Sequence, residues 1–178
     1  MNKVNLSKRL QSIFSLVDEN SFIQDVGSDH AYLPISLVLE GKIQNAIASE
    51  INRDPYLNAY NNVRKYNLQD KIKVVLSDGI SSLSKDVNCL IISGMGGILI
   101  ADILQKNSDK LDQVETIIVG CNNKAENVRE AFLKHHFKIK AEKIIKEADK
   151  FYEIIKACKT KRAFSYNEHQ IKFGPLLL

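Results

Sequence analysis

The 178-residue sequence has no tryptophan, three prolines and three cysteines. Cys89, Cys121 and Cys158 lie far apart. That spacing excludes the Cys-x-x-Cys pairs that hold zinc or carry thiol redox chemistry, and no metal site is expected. An odd, scattered set of thiols fits a reducing compartment. No apolar run approaches the roughly 20 residues that cross a bilayer. Residues 1–9 lack the apolar stretch of a signal peptide, so the expectation is a cytoplasmic protein without membrane contact. Charge of one sign is not dominant either: 25 Lys and Arg against 21 Asp and Glu leave +4. That balance permits a polyanionic partner without demanding one. There is no internal repeat and no low-complexity segment. The missing tryptophan, beside frequent Lys, Asn and Ile, reads as base-composition bias rather than function. What remains, 44% hydrophobic and 26% charged residues, is ordinary for one soluble domain with a sizeable core.

Hydrophobic periodicity organises the chain. Leu6, Leu10, Ile13, Phe14 and Val17 recur at helical spacing and predict an amphipathic opening helix. Residues 22–26, 46–51, 72–76, 88–92 and 116–119 are short apolar runs that predict strands. Helices are expected between them, over 31–39, from Asp54-Pro55 to about Tyr66, over 98–104 and over 126–135. Asp54 is expected as the cap of its helix and Pro55 in its first turn. Residues 138–145 and 151–157 alternate and predict a closing antiparallel hairpin. Strands alternating with helices argue for an α/β fold with a mainly parallel sheet. Such sheets bind ligands beyond the carboxyl ends of their strands.

Acidic residues recur at those ends. The stretch FIQDVGSDHAYLP carries Asp25 and Asp29 on either side of a glycine turn after the first strand. Glu50 ends the second strand, and Asp78 follows the third in LSDG. A parallel sheet brings these ends side by side, so the carboxylates line one crevice. The positions suit the parts of S-adenosyl-L-methionine. Gly27 lets the backbone approach the methionyl portion. Glu50 is placed to accept from both ribose hydroxyls, and Asp78 from the adenine amino group. A dinucleotide fits less well, because Asp29 stands where its pyrophosphate would need a glycine. The fourth strand runs into SGMGG, where Gly94, Gly96 and Gly97 leave room beside the transferred methyl group. The Asn/Asp-Pro-Pro-aromatic motif of exocyclic-amine methylation is absent.

Taken together, LSKRL (6–10), DVGSDHAYLP (25–34), SDG (77–79), ISGMGG (92–97), FYEII (151–155) and FGPLL (173–177) resemble the bacterial tRNA (adenine-22-N1)-methyltransferase family over essentially the whole chain. The resemblance implies a Rossmann-like class I methyltransferase domain over 1–160, with an N-terminal helix and a C-terminal antiparallel hairpin. It implies that 161–178 begin a C-terminal helical segment, with most of the family's C-terminal domain missing. The implied activity is tRNA modification in the cytoplasm by a monomer. S-adenosyl-L-methionine would methylate N1 of adenosine 22. Its binding residues would be Asp25, Gly27, His30 and Glu50, then Asp78 and Gly79 after the third strand and Gly94 and Met95 after the fourth. One departure stands out: Gly120-Cys121-Asn122 replaces the family's usual Gln-Pro-Asn.

The implied chemistry assigns the remaining residues. Asp29 is the expected catalytic group, holding an N6 hydrogen of the base, or else a cap of the following helix. Tyr32 or His30 would stack on the adenine, or pack against the methionyl moiety. Lys8 and Arg9, with the lysines after Phe137, are the expected phosphate contacts, and Asn122 is a further tRNA contact. Two rivals remain open: an RNA-binding or regulatory protein that keeps the fold without turnover, and an NAD-dependent oxidoreductase.

Overall fold

The computed structural model describes residues 4–177; residues 1–3 and Leu178, the ends of the two expected segments, lie outside the described residues. Nine residues, Lys8–Leu16, form α1, whose N-cap Ser7 accepts from the Leu10 amide. The chain continues through β1 (Ile23–Val26), α2 (Tyr32–Leu39), β2 (Ala46–Glu50), α3 (Arg53–Lys65) and β3 (Ile72–Leu76). After it come β4 (Cys89–Met95), α4 (Gly97–Lys106), a 3-10 turn at Ser108–Gln113, β5 (Thr116–Cys121) and α5 (Ala125–Lys134). The hairpin β6 (Phe137–Glu147) and β7 (Lys150–Lys159) follows, then the short α6 (Glu168–Phe173).

One seven-stranded sheet has the order β3-β2-β1-β4-β5-β7-β6. The first five strands in that order pair in parallel, and β7 runs antiparallel to both its neighbours. Every residue of β1, β2 and β5 is buried, as expected for strands covered on both faces. One core lies under α1, α2 and α3 and gathers Ile13, Leu33, Leu37, Ala59 and Val63. The other lies under α4 and α5 and gathers Ile100, Leu104, Val128 and Phe132. The chain reverses its winding between β1 and β4, which opens a crevice at their carboxyl ends.

Two local expectations need correction. Asp54 does not cap α3: Asn52 occupies the N-cap, so Asp54 and Pro55 both lie inside the first turn. An acid there still favours the positive end of the helix dipole. The fourth strand also does not stop at Ile92. It continues through Ser93, Gly94 and Met95, with a register shift against β5 between Ser93 and Met95. Gly94, at φ +83°, absorbs that bulge.

At the far end of the sheet, Arg129 of α5 is fully buried. Its Nε donates to Glu142 Oε1 of β6 at 2.8 Å, and its Nη2 pairs with Glu153 of β7. Its Nη1 donates to the Ile171 carbonyl at 3.1 Å, while the Leu176 amide donates to Glu142 at 2.9 Å. One guanidinium thus ties α6 and the chain after it to the hairpin. Among the described residues, no helix is long and apolar enough to cross a membrane.

Candidate cofactor and substrate site

The turn after β1 has an unusual backbone. Gly27, Asp29 and Ala31 adopt φ of +70°, +43° and +55°, so two non-glycine residues sit in the left-handed region. Such conformations cost free energy and persist where the surroundings impose them. Gly27 suits its left-handed φ without strain, and a Cβ there would lie 2.7 Å from the Met95 methyl carbon, which would have to shift. The Asp29 amide donates to Glu50 Oε1, which pins the turn to the end of β2. Asp29 is not a helix cap. Ala31 holds the N-cap of α2 and has no side-chain oxygen to offer. The Asp29 carboxylate instead lies 3.5 Å from His30 Nε2 and is 60% exposed.

Asp25 is buried below this turn and accepts from Ser28 Oγ at 2.6 Å. Burial pushes its pKa up to about 7; Glu50 adds to the rise, while the Ser28 bond and Arg9 oppose it. Burial also raises Glu50, against the Asp29 amide. The turn therefore holds two carboxylates short of cationic partners.

Two cavities meet here. The larger, about 550 Å³, lies between α1, the first turn and the bulged end of β4. Asp25, Asp29, His30, Tyr32, Gly94 and Met95 line it, with Arg9, Ser93 and Glu147. His30 and Tyr32 stack at its mouth with ring centroids 5.0 Å apart. The second, about 430 Å³, lies over β2 and β3 and is lined by Asp78 and Gly79 with Ile51, Leu99 and Ile103. Gly27, Glu50 and Met95 line both. The crevice is thus one bent groove, with Asp25, Asp29 and Arg9 in one arm, and Ile51, Leu99 and Ile103 beside Asp78, Asp102 and Lys106 in the other.

Of the residues expected for the cofactor, all line one arm or the other. The expected tRNA contacts are more dispersed. Tyr32 is at the mouth, Lys8 is exposed on α1, and Asn122 lies beyond the end of β5, lining neither arm. Arg9 turns into the groove instead of outward. Its Nη1 donates to Ser93 Oγ at 2.8 Å, its guanidinium lies 5.1 Å over the Tyr152 ring, and its amide donates to Glu147 at 2.8 Å. The buried Arg9 Nε has no partner. Gly94 makes the room, since a Cβ there would approach Nη1 to 2.9 Å. Gly120 does the same for Ser93, whose Oγ would lie 2.8 Å from a Cβ.

Ile51 and Leu99 went unread in the sequence. They are 59% and 52% exposed and both line the second arm, where a flat apolar ligand would cover them. Their signal, an apolar residue just past an acidic strand end, is too common to single out. Ser93 and Tyr152 lie within ISGMGG and FYEII, but their roles, like that of Glu147, come from contacts with α1 that the local sequence does not show.

A doubly wound sheet with an acidic groove at its switch point defines the Rossmann-like class of methyltransferases. The family described as a methyltransferase domain matches residues 6–155. The chain is 38% identical over 178 residues to the tRNA (adenine(22)-N(1))-methyltransferase of Bacillus subtilis, covering 99% of this chain and 75% of that one. It superposes on a Streptococcus pneumoniae protein described as a tRNA methyltransferase, in complex with S-adenosyl-L-methionine. That match has TM-score 0.90 and 42% identity over 96% of this chain and 80% of that chain. It also superposes on the M. capricolum relative in complex with S-adenosyl-homocysteine, with TM-score 0.87 and 34% identity over 95% and 75% of the two chains. The chain belongs to the tRNA (adenine(22)-N(1))-methyltransferase family.

Proposed function

We propose that this chain transfers a methyl group from S-adenosyl-L-methionine to N1 of adenosine 22 in tRNA. The observation that carries the reading is the charge order along the groove. Asp25 and Arg9 stand together in one arm, Glu50 at the bend and Asp78 in the other arm. An amino-acid zwitterion needs an anion for its ammonium and a cation for its carboxylate within a few ångströms. Asp25, buried and short of positive charge, suits the ammonium. Arg9, with donors left over, suits the carboxylate. Glu50 accepts from the ribose hydroxyls. Ile51, Leu99 and Ile103 cover the adenine faces, with Asp78 and Gly79 at its edge. The Gly27 cradle supports the fit, because the bare backbone at φ +70° lines both arms and lets a ligand approach closely.

Bound in this groove, S-adenosyl-L-methionine supplies an electrophilic methyl group on a sulfonium. N1 of adenine has an in-plane lone pair, so no covalent nucleophile is required of the protein. The chain's work is alignment and charge management. N1 lies on the pairing edge, so the base enters unpaired or flipped, at a cost of a few kcal/mol. The stacked His30–Tyr32 pair offers an aromatic face at the mouth to offset that cost. Asp29, exposed and held by its own amide to Glu50, accepts an N6 hydrogen and takes the proton that methylation makes acidic. Lys8 and the hairpin lysines meet tRNA phosphates, in the cytoplasm where tRNA is found. Incubation with labelled S-adenosyl-L-methionine and an unmodified tRNA transcript, followed by nucleoside analysis, tests the reading. 1-Methyladenosine at position 22 is the expected product; its absence at full cofactor occupancy would sink it.

A further inference from the structure

Phe151 is the most exposed large hydrophobic residue among those described, at 61%, and Ile144 beside it is at 56%. Both belong to the hairpin. Phe151 pairs with Lys146, and Ile144 with Glu153, so the two apolar side chains share one face of β6 and β7. With Cys121, Asn122 and Glu153 they line a recess of about 330 Å³. Neither arm of the cofactor groove includes this recess.

The sheet register sets its distance from the chemistry. Met95, at the floor of the groove, pairs with Cys121, and Cys121 pairs with Glu153. Two ladder spacings of about 4.8 Å put the recess roughly 10 Å along the same sheet edge. Phe151 precedes Glu153 on an antiparallel strand, so it lies past that edge, on the sheet face opposite Tyr152 and Glu147, which flank Arg9 in the first arm.

Lys146 Nζ sits 5.7 Å over the Phe151 ring and shares its face of the hairpin. Lys143 and Lys150 alternate onto the opposite face, with Glu147, and there Lys143 donates to Ser15 Oγ at 3.2 Å. Glu153, on the face of the ring, is paired with Arg129, so Lys146 supplies the positive charge beside the ring. A lysine beside an exposed aromatic ring is an arrangement that binds single-stranded nucleic acid. The size argues the same way. The recess takes one planar ring system, whereas a stable protein contact buries about 800 Å² on each partner.

We infer that Phe151 and Ile144 form a stacking platform for an unpaired nucleobase of the tRNA neighbouring the methylated adenosine, with Lys146 on its phosphate. The inference rests on the tRNA reading above and adds to it a second base-binding point. It explains how the enzyme holds the strand on both sides of a base that has left its stack.

The test uses Phe151→Ala, Phe151→Trp and Lys146→Gln in the whole chain. Affinity for an unmodified tRNA transcript is measured by anisotropy, and S-adenosyl-homocysteine affinity by calorimetry. Phe151→Ala should weaken tRNA binding roughly 5- to 150-fold, the worth of one base–aromatic stack, with cofactor affinity unchanged. Phe151→Trp should restore it. Lys146→Gln should lower the salt slope of tRNA binding by about one unit. A transcript carrying 2-aminopurine beside adenosine 22 should be quenched by the wild type and less so by Phe151→Ala. Wild-type tRNA affinity in Phe151→Ala would overturn the platform alone. So would a loss that Phe151→Trp fails to restore, which would assign the effect to hairpin folding. A wild type that binds S-adenosyl-homocysteine but not tRNA would overturn the function reading and the platform together.

Discussion

Asp25 carries a cost that only a cationic ligand removes. Its pKa is about 7 in the fold against 3.8 for an ordinary carboxyl. Between those values the native state holds a proton that the unfolded chain has lost, so this group's contribution to stability falls as pH rises across that window and levels off above it. Asp25→Asn should therefore stabilise the cofactor-free protein at pH 8, by at most about 4 kcal/mol. The gain should vanish near pH 4, as thermal melts across pH will read. The same substitution should weaken S-adenosyl-homocysteine binding about 10- to 150-fold, the worth of hydrogen bonds to a charged group. Arg9→Gln distinguishes the two halves of the zwitterion. It should weaken S-adenosyl-L-methionine and leave its decarboxylated analogue nearly unaffected; equal losses by calorimetry would return Arg9 to a phosphate role. Asp29→Asn keeps the size and tolerates the left-handed backbone. It should lower single-turnover methylation about 10²- to 10⁴-fold with cofactor affinity unchanged, and near-normal turnover would remove Asp29 from the chemistry. The acids of the site were legible in the sequence because a parallel sheet gathers its strand ends. The inward turn of Arg9 was not, because it depends on Ser93, Gly94, Gly120 and Tyr152 from three other strands.

The strands and helices were legible for the same kind of reason, and they failed where glycine intervened. Apolar runs bounded by turn residues mark β1, β2, β3 and β5 to within about two residues, and the alternation of Phe137 to Ala157 marks the hairpin. In β4 the apolar run ends at Ile92 while the strand continues to Met95, because Ser93 and Met95 still pair with Gly120 and Cys121 of β5 on either side of the bulge at Gly94. The cap of α3 was misread because Asp54-Pro55 has the form of a cap followed by a first-turn proline, yet the chain turns into the helix at Asn52, a residue of equal capping ability. The bulge in β4 has a testable consequence. Gly94→Ala would force a β-carbon into the left-handed region at φ +83° and to 2.9 Å from Arg9 Nη1. Strain of this kind costs on the order of 1–3 kcal/mol, so the urea midpoint should fall accordingly. The displaced guanidinium should also cost cofactor affinity, up to the loss seen for Arg9→Gln. A silent Gly94→Ala would mean that the end of β4 and the Arg9 side chain relax freely around each other.

Across the whole molecule, the catalytic groove and the C-terminal segment are held by different devices. The groove depends on the switch point of the sheet, whereas α6 depends on Arg129, Glu142 and Glu153. That cluster lines neither arm of the groove, so stability and cofactor binding should separate when it is altered. Removing one member leaves buried charge unpaired. Arg129→Met should cost about 3–5 kcal/mol in urea unfolding. Replacing all three, Arg129→Met with Glu142→Leu and Glu153→Leu, removes the desolvation cost with the attraction and should recover most of that loss. The recovery should not extend to α6. The Ile171 carbonyl and the Leu176 amide would have lost the partners that dock them. Hydrogen exchange in the triple variant should therefore show fast amides after Asn167 against a protected sheet, with S-adenosyl-homocysteine affinity unchanged at a temperature where both variants are folded. Equal destabilisation of the single and triple variants would mean that the charges themselves stabilise the sheet end. Slow exchange of α6 in the triple variant would mean that apolar contacts, not the buried arginine, hold the segment in place.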